Sequence, residues 1–510
     1  MMKIDLRVDR ASLRRWHLEL AQRLENRMGC EVGFRFEPGA GPSLATDALF
    51  QVETLMFGLP RGGASQRVKP QPAAAATTQS EAYLVIDLAQ APAARKAERV
   101  WRVECDGAGL EAGLLAALVA GRSPTVRVLG PAGPIAVARP GSDSPGLVKA
   151  AFEDMLARVA TLIVAAMDGG ASATPPAIPG EPAQAFDPAA LEPRKWFARA
   201  ARTVKRGAVR AAYTALCHAP HWRVGWRRGV SGLADGRLGG GWSDLPDDGQ
   251  RFYADPFPIV WRGRTFLFVE DFAHKLGKGV ISAVEFGPQG PLGIPQPVLE
   301  RPGHLSYPNL FERDGEMWMI PESGAAGTID LYRALDFPHS WALETTLVAD
   351  VVASDATLIE KDGRWWMFAT VREGGGAYSD ALCLWSAPDF RGPWTPHRAN
   401  PVLIDIATAR PAGRMFERDG ALYRPVQDCR AGYGAALALA RVERLDEGGF
   451  AQSVEAILRP CANWPGRRLH TFNAAGGFEF IDGSALAPRW AALRQPLEFV
   501  RRRETRLAPV

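Results

Sequence analysis

The sequence predicts a multidomain chain, with an N-terminal α/β domain, a basic linker helix and an all-β C-terminal domain that folds as a five-bladed β-propeller. A repeated strand–turn–strand hairpin and its regular period predict the propeller. Apolar strands that alternate with amphipathic helices in the first third of the chain predict the α/β domain. A Pro- and Ala-rich stretch, residues 169–188, separates the two.

Four segments of the C-terminal half align without gaps, and each is an apolar strand, a tight turn and a second apolar strand. They are ADPFPIVWRGRTFLFVED (254–271), SYPNLFERDGEMWMIPES (306–323), SDATLIEKDGRWWMFATV (354–371) and PAGRMFERDGALYRPVQD (411–428). Three of the four turns are Asp-Gly, which is typical of a type I′ hairpin, and the turn glycines lie 52, 48 and 57 residues apart. A fifth Asp-Gly, Asp482-Gly483, follows the strand-like FEFI. Five repeats of one blade's length predict a five-bladed propeller over residues 235–510.

Equal offsets from the turn glycines predict which side chains meet at one mouth of the propeller. The start of the first strand and the end of the second lie together because the two strands are antiparallel. The positions eight before and seven after each glycine are Asp255, Tyr307, Asp355, Ala412, Glu270, Glu322, Thr370 and Gln427. Beside them in sequence stand Asp271, Arg372, Arg410, Arg414 and Asp428. Four carboxylates that converge on one concavity repel each other, and such an arrangement indicates a functional site.

The rest of the chain divides at the linker. Residues 1–168 are expected to form the α/β domain, with LVIDLA as a buried parallel strand, and residues 169–234 to form the linker and a basic helix. Residues 193–234 hold ten Lys or Arg and no acid. A helix over 193–216 would place Trp196, Phe197, Val204, Ala208 and Leu216 on an apolar face, and Arg199, Arg202, Lys205, Arg206 and Arg210 on a basic one. Such a helix either lies on an anionic inner-membrane surface or is a solvated helix docked on the propeller.

Composition narrows the classes of function. A net charge of +4 gives no reason to expect a nucleic-acid partner. The six Cys are scattered without a metal-binding spacing, which indicates reduced thiols. The charged start MMKIDLRVDR does not read as a secretory signal. We therefore expect a cytoplasmic protein without a cofactor, peripheral to the inner membrane if the helix binds there.

The ADPF and SDAT motifs resemble the furanosidase-type five-bladed propellers, such as glycoside hydrolase family 43. The wider set ADPF…FVED, LSYPNL, MIPES and YRPVQD…YG is more specifically similar to the propeller domain of the glucosamine inositolphosphorylceramide transferase family and its bacterial relatives. The family 43 resemblance implies that Asp255 is the general base and that Asp355 orients the sugar. It also implies a channel cation, such as calcium, near a His, for which His470 is the candidate.

The sequence departs from family 43 in its fourth repeat, which opens with ARPAGR and has no general acid. Our hypothesis moves that role to Glu322, with Glu270 second, and gives Arg410 and Arg414 an anionic part of the substrate to bind. Tyr307, Arg372, Gln427, Asp271 and Asp428 complete the expected substrate-binding group. Three functions remain open, namely a glycoside hydrolase-like enzyme acting on glycans or glycolipids, a glycosyltransferase or its accessory domain, and a non-catalytic glycan-binding scaffold.

The N-terminal domain resembles the formyltransferase-like fold of several bacterial relatives, in its strand–helix opening, LVIDLA and SPTVRVL. A formyltransferase needs an Asn, a His and an Asp around the transferred carbon. The only His before residue 218 is His17, inside the first predicted helix. The resemblance therefore implies a degenerate domain that serves a structural or docking role.

Overall fold

The N-terminal domain is a mixed sheet covered by helices. The computed structural model describes residues 2–39, 41, 43–70, 83–91, 99–170, 173–182, 184–229 and 233–489. The strands of this domain are Lys3–Asp9 (β1), Glu31–Glu37 (β2), Leu84–Asp87 (β3), Val100–Cys105 (β4), Ala108–Gly109 (β5), Val126–Gly130 (β6) and Gly133–Ala138 (β7). Its helices are Arg15–Met28 (α1), Leu44–Phe57 (α2), Leu110–Ala120 (α3) and Val148–Met167 (α4).

The order of this sheet is β2-β1-β3-β4-β6-β7, with β1 to β4 parallel and β6 and β7 antiparallel additions. The continuous apolar run of β3 predicts a strand buried on both faces, and Leu84 and Ile86 are buried beneath the helices. The α/β character expected from the sequence is confirmed. His17 is buried in the first turn of α1, where its Nδ1 accepts a hydrogen bond from the Arg14 N–H, 3.0 Å away. Burial lowers the pKa of His17 to about 4, so this residue is a neutral structural group.

The linker leads into helix Pro193–Leu216 (α5) and the short strand Cys217–His218 (β8). The expected helix is present, but its faces differ from the expected ones. Trp196, Arg199 and Thr203 are buried against the N-terminal domain, whereas Phe197, Val204 and Leu216 are exposed. The helix packs along its length on α2 and α3, and its C-terminal end contacts the propeller domain, where Arg489 donates to the Thr214 and Leu216 carbonyls. None of the helices in the described ranges combines the length and the apolar character that a membrane crossing needs.

The C-terminal domain is a five-bladed propeller, as the hairpin repeat predicts. In chain order its strands are Trp222–Arg228 (β9), Ser243–Asp244 (β10), Arg251–Trp261 (β11), Arg264–Ala273 (β12), Lys278–Gly287 (β13), Gly290–Pro291 (β14), Gln296–Leu299 (β15), Ser306–Arg313 (β16), Glu316–Glu322 (β17), Ile329–Asp336 (β18), Ser340–Val348 (β19), Ala353–Lys361 (β20), Arg364–Val371 (β21), Ala381–Ala387 (β22), Thr395–Pro396 (β23), Leu403–Ile404 (β24), Phe416–Arg418 (β25), Ala421–Asp428 (β26), Ala436–Asp446 (β27), Gly449–Leu458 (β28), Phe472–Ala475 (β29), Phe478–Ser484 (β30) and Ala487–Pro488 (β31). Strands β11–β15, β16–β19, β20–β24 and β25–β28 form blades 1 to 4.

The closing blade combines both ends of this domain. Its order is β10-β9-β30-β29, so a strand from before the first repeat pairs with one from after the last. Strand β9 comes from the segment that was expected to be linker, and residues 490–510 of the expected propeller lie outside the described residues. The fifth hairpin turns at Gly476 and Gly477, both with positive φ, and not at Asp482-Gly483. Asp482 lies inside β30 because it continues the strand Phe478–Ser484 and pairs with Val224.

Candidate functional site

Three inner strands carry the same backbone irregularity at the same place. Asp255, Tyr307 and Asp355 have φ values of 47°, 43° and 58°, in a region that side chains other than Gly rarely adopt. At each of them the register with the neighbouring strand shifts, as in a β-bulge. Backbone strain of this kind persists only where the surroundings hold it, and it concentrates at functional sites.

Carboxylates hold each of these strained positions. The Asp255 N–H donates to Asp482 Oδ2 at 3.0 Å, and the Tyr307 N–H donates to Asp255 Oδ2 at 3.2 Å. The Asp355 N–H donates to Glu322 Oε2 at 3.1 Å. Each bulge therefore turns an N–H towards an acid beside the central channel, and each acid is fixed by the bulge that it binds.

Burial raises the pKa values of the carboxyl groups at this mouth. Desolvation raises the pKa of Asp255 to about 6 and that of Asp355 to about 7. It also raises the pKa of Glu270 well above the usual range, with Asp255, Glu322, Asp482 and Asp355 adding like-charge repulsion. The structure thus brings together the four carboxylates whose offsets from the turn glycines are equal.

Arg410 is the cation of the mouth. Its Nε donates to Asp355 Oδ2 at 2.6 Å, and its Nη2 lies 3.6 Å from Glu322 Oε2. The Gln427 amide donates to the same Asp355 oxygen at 2.9 Å. The guanidinium carbon lies 4.7 Å from the centre of the Tyr433 ring. Arg410 and Gln427 therefore hold Asp355 in one orientation, and Tyr433 covers the pair.

His470 lies on the other side of the channel. Its Nδ1 is 2.6 Å from Asp482 Oδ1, and its Nε2 is 3.8 Å from Asp255 Oδ1. Burial alone would lower the pKa of His470, but Asp482 and Asp255 raise it. The Thr471 hydroxyl donates to Asp255 Oδ1 at 2.8 Å. Asp255 is therefore surrounded by a hydroxyl, an imidazole and a backbone N–H.

Asp255, His470 and Asp482 are also the one group in the described ranges that could hold a metal ion, with ligand atoms within 4.8 Å of one another. Calcium takes six to eight oxygen ligands. This group offers two carboxylates and an imidazole, and Asp482 Oδ1 already accepts from the His470 and Thr471 N–H groups. These residues fit a hydrogen-bonded triad better than the expected calcium site.

The structure takes four predicted binding residues away from the mouth. Asp271 pairs with Arg251 and Ser282, and Asp428 pairs with Arg430. These two acids follow Glu270 and Gln427 in their strands, so their side chains point to the opposite face.

The two arginines are also engaged elsewhere. Arg372 bonds the Gly376 carbonyl and the Tyr378 hydroxyl. Arg414 donates to the Pro258 and Leu310 carbonyls of two inner strands, so it fills the channel between blades. Its guanidinium is therefore not available to an anion at the mouth, contrary to the expectation from the sequence.

Four residues of the mouth were not predicted from the sequence. They are His304, Tyr433, Thr471 and Asp482, and all except Asp482 lie in loops or turns with no fixed offset from a hairpin glycine. His304 Nε2 is 3.5 Å from Glu270 Oε1. The YG pair of the fourth repeat was the one signal that pointed to Tyr433, and Asp482 was hidden because its Asp-Gly dipeptide imitates a turn.

The N-terminal domain reaches the mouth through one loop. Residues 372–380 connect β21 to β22, and their three glycines at 374–376 allow the backbone to lie against α1 and α4. Asp143 accepts hydrogen bonds from the Tyr378 N–H at 3.0 Å and from the Ser379 hydroxyl at 3.2 Å. Ser379 Oγ in turn accepts from Arg410 Nη1 at 3.3 Å. A continuous set of hydrogen bonds therefore joins the first domain to Asp355.

Comparison with known proteins agrees with the motifs. The family model described as glucosamine inositolphosphorylceramide transferase 1, N-terminal, matches residues 245–476. Glucosamine inositolphosphorylceramide transferase 1 of Arabidopsis thaliana is 34% identical over 243 residues, which are 45% of this chain and 31% of that protein. The protein of the same name from Oryza sativa subsp. japonica is 33% identical over 262 residues, or 48% and 35% of the two chains. The chain spans about a third of the length of these curated relatives.

Two glycoside hydrolases are among the solved structures to which this chain is similar. The GH43 protein BlXynB of Bacillus licheniformis has a TM-score of 0.31 and 18% identity, over 43% of this chain and 49% of its own. Zg3597, a family 117 glycoside hydrolase from Zobellia galactanivorans, has a TM-score of 0.35 and 12% identity, over 51% and 90%. Scores of this size add nothing to the blade count, which rests on the five sheets. The propeller is similar in sequence to the N-terminal region of glucosamine inositolphosphorylceramide transferase 1, and the resemblance expected from its motifs is confirmed.

Proposed function

We propose that the mouth of the propeller binds a sugar of a glycan or glycolipid and acts on its glycosidic bond. The observation that carries the proposal is the pair of neighbouring buried carboxylates with separated proton affinities. The pKa of Asp255 is about 6 and that of Glu270 lies well above the usual range. Two neighbouring carboxyl groups whose pKa values are pushed apart in this way are the arrangement that glycosidic-bond chemistry uses, with the group of lower pKa as base or nucleophile and the other as acid.

Within this proposal Asp255 is the base or nucleophile and Glu270 is the acid. Glu322 is already engaged inside the protein, because it accepts the Asp355 N–H and lies 3.6 Å from the Arg410 guanidinium, so we assign the acid role to Glu270 rather than to Glu322. Asp355 is held by Arg410 and Gln427, which suits a group that orients sugar hydroxyls.

Two alternatives follow from particular observations. The curated relatives are named as transferases and the chain spans a third of their length, which favours an accessory role in glycosyl transfer during envelope polysaccharide or glycolipid synthesis. The engagement of Asp355 Oδ2 by both Arg410 and Gln427 favours a third role, a scaffold that binds glycan without turnover.

One set of variants separates the three roles. The full chain is incubated with a panel of glucosamine-containing and other glycolipids, and release or transfer of sugar is measured together with binding by calorimetry. Asp255→Asn and Glu270→Gln should each lower kcat by about a hundredfold or more while binding persists. The exposed turn variant Asp419→Asn serves as the control and should be unchanged. Binding with no turnover in the parent protein selects the scaffold, and undiminished turnover in Asp255→Asn removes Asp255 from the chemistry.

We also propose that α5 rests on an anionic membrane surface from the cytoplasmic side. Phe197 and Val204 lie two turns apart on one face of the helix, with 79% and 48% of their surface exposed. Arg202, Lys205 and Arg206 lie beside them, also exposed. An apolar ridge next to basic side chains is the pattern that binds anionic lipid headgroups. This placement would bring a glycolipid headgroup to the propeller.

For the N-terminal domain we propose an inactive formyltransferase-like fold with a supporting role. The parallel order β2-β1-β3-β4 is compatible with that fold. The neutral, buried His17 and the contact between Asp143 and the loop 372–380 favour support over catalysis.

A further inference from the structure

A second concavity opens beside the mouth, where the propeller meets the end of α5. Its volume is 510 Å³, and none of its described lining residues is acidic. Four of them are basic or titrate to a cation, namely His218, His274, Lys275 and Arg489. We call this concavity the basic cavity. Arg489 is held at its edge by hydrogen bonds to the Thr214 carbonyl, at the C-terminal end of α5.

The basic cavity lies close to the carboxylates of the mouth. Phe272 lines it, and Phe272 stands two residues after Glu270 in β12, on the same side of the strand and about 7 Å along it. The His304 ring lies between them, with its centre 6.0 Å from that of Phe272 and its Nε2 3.5 Å from Glu270 Oε1. The His304 side chain therefore lies between the basic cavity and Glu270.

Three histidines are stacked at the wall of the basic cavity. The His218 and His274 rings are 4.3 Å apart and nearly parallel, and His274 Nε2 is 3.0 Å from His221 Nδ1. His221 Nε2 faces Asp247 at 3.6 Å, which favours a proton on that nitrogen. His221 Nδ1 is then the acceptor and His274 Nε2 the donor, so His274 Nδ1 is the atom that can take up a further proton.

The charges around His274 oppose that proton while no anion is bound. Burial, together with the charges of His218, His221 and Arg489, lowers the pKa of His274 to about 4, and Asp247 acts in the opposite direction. Burial and Arg489 likewise lower the pKa of His218. An anion at the centre of these groups would remove the repulsion and convert both histidines into charged donors.

We propose that the basic cavity binds a phosphate group of the substrate, with Lys275, Arg489, His218 and His274 as its donors. Its role as a subsite rests on the proposed function, because the mouth must then hold the sugar that the phosphate carries. The substrate class becomes a phosphorylated glycan or phosphoglycolipid, whose phosphate lies about one sugar ring from Glu270. Binding of the anion itself does not depend on any activity at the mouth.

Titration of the full chain with inorganic phosphate by calorimetry tests the donors. Lys275→Gln should weaken phosphate binding about tenfold, because a charge-assisted hydrogen bond is lost from an exposed side chain that the fold does not need. Lys278→Gln is the matched control three residues away, since its Nζ is engaged by Glu300 and by the Arg301 carbonyl. Equal affinities in Lys275→Gln and the parent protein, or no binding of phosphate at all, would overturn the proposal.

The histidines are tested with sulfate, which stays a dianion between about pH 5 and 8. Sulfate should bind more tightly as the pH falls through this range, with proton uptake on binding, and His274→Gln should flatten the profile. Thermal unfolding checks that this variant is folded. A pH-independent affinity in the parent protein contradicts the role of the histidines.

Two further comparisons identify the kind of phosphate that binds and show whether the proposed function or the anion site is refuted. Tighter binding of glycerophosphoinositol than of inorganic phosphate identifies a lipid phosphodiester, and the reverse identifies a free phosphate or monoester. Phosphate binding that depends on Lys275, in a protein with neither turnover nor sugar binding, refutes the proposed function and the subsite role while the anion site stands. Sugar turnover together with phosphate binding that ignores Lys275 refutes this inference alone.

Discussion

Individual residues at the mouth combine strain with burial in a way that local propensity does not favour. Asp255, Tyr307 and Asp355 adopt positive φ in strands that are otherwise regular. Asp tolerates this conformation better than Tyr, whose hydroxyl is therefore fixed on both sides, by Thr357 Oγ1 at 2.9 Å and by the Gly413 N–H at 2.8 Å. Sequence offsets were sufficient to find these positions because a bulge repeats at the same place in each hairpin. Side chains that reach the mouth from irregular loops have no such offset, and His304 and Thr471 could not be predicted for this reason.

From the burial of Asp255 we predict how the free energy of unfolding depends on pH. Its pKa is about 6 in the folded protein and about 3.9 in an unfolded chain. Between these values the folded state keeps a proton that the unfolded state has lost, so this group's contribution to the free energy of unfolding falls as the pH rises from about 4 to about 6. The fall is on the order of 3 kcal/mol and is complete above pH 6.

Asp255→Asn should remove that fall. The melting temperature of the variant relative to the parent protein should therefore increase from pH 4 to pH 6 and then stay level, and thermal scans across this range measure it. Asp419→Asn, at a turn whose side chain is 95% exposed, should follow the parent at every pH. A constant difference between Asp255→Asn and the parent would contradict the burial of an ionisable group at this position.

Among the elements, α5 shows what sequence periodicity cannot predict. The helix and its amphipathic pattern follow from the spacing of its residues, but the pattern does not predict which face packs against the rest of the protein. Trp196 is buried by the N-terminal domain, while Phe197 next to it is exposed. The fifth hairpin is a similar case, because Gly476-Gly477 makes the turn and Asp482-Gly483 only has its composition. The first misassignment concerns which face of an element meets a partner and the second concerns where a turn lies, and local sequence determines neither.

The exposed faces of α5 predict binding to anionic vesicles. Lys205→Glu should weaken binding about tenfold or more in a vesicle-sedimentation assay, because each basic side chain near an anionic surface contributes roughly 1 kcal/mol and the change removes one charge and adds its opposite. Arg262→Glu makes the same change at the hairpin turn of blade 1, at the end of the strands away from the mouth, and should bind as the parent does. Equal loss in the two variants would indicate a general charge effect, and no loss in Lys205→Glu would remove α5 from membrane binding.

At the scale of the whole molecule, the two domains form one unit around the loop 372–380. Arg158 of α4 pairs with Asp380 at 2.8 Å, and Arg139 pairs with Asp405 at 3.2 Å, all of them largely buried. This interface could not be predicted from local sequence, since contacts between residues more than two hundred positions apart leave no local pattern. The register of the four aligned hairpins, by contrast, was sufficient to predict the converging carboxylates, and the blade count of five is correct although its fifth turn was misplaced.

This interface predicts a remote effect on the mouth. Asp143→Ala removes the acceptor for Tyr378 N–H and for Ser379, whose hydroxyl supports Arg410. Loss of one such hydrogen bond costs about 1 kcal/mol, so affinity for the sugar ligand should fall about fivefold with little change in melting temperature. Asp168→Ala, which loses an exposed pair with Arg27, is the control in the same domain. Unchanged affinity in Asp143→Ala would show that the first domain does not position Arg410.

The pairing of β9 with β30 in the closing blade determines where the propeller can be cut for expression as a fragment. Strand β9 is contributed from ahead of the region that the family model matches, and it covers the edge of β30 along seven paired positions. A fragment cut at residue 235 would present that edge bare, and a bare β-edge recruits strands from neighbouring molecules. A fragment that begins upstream of Trp222 retains β9 and keeps the propeller closed. A fragment that begins at the first repeat lacks β9, and its open propeller would be prone to aggregate.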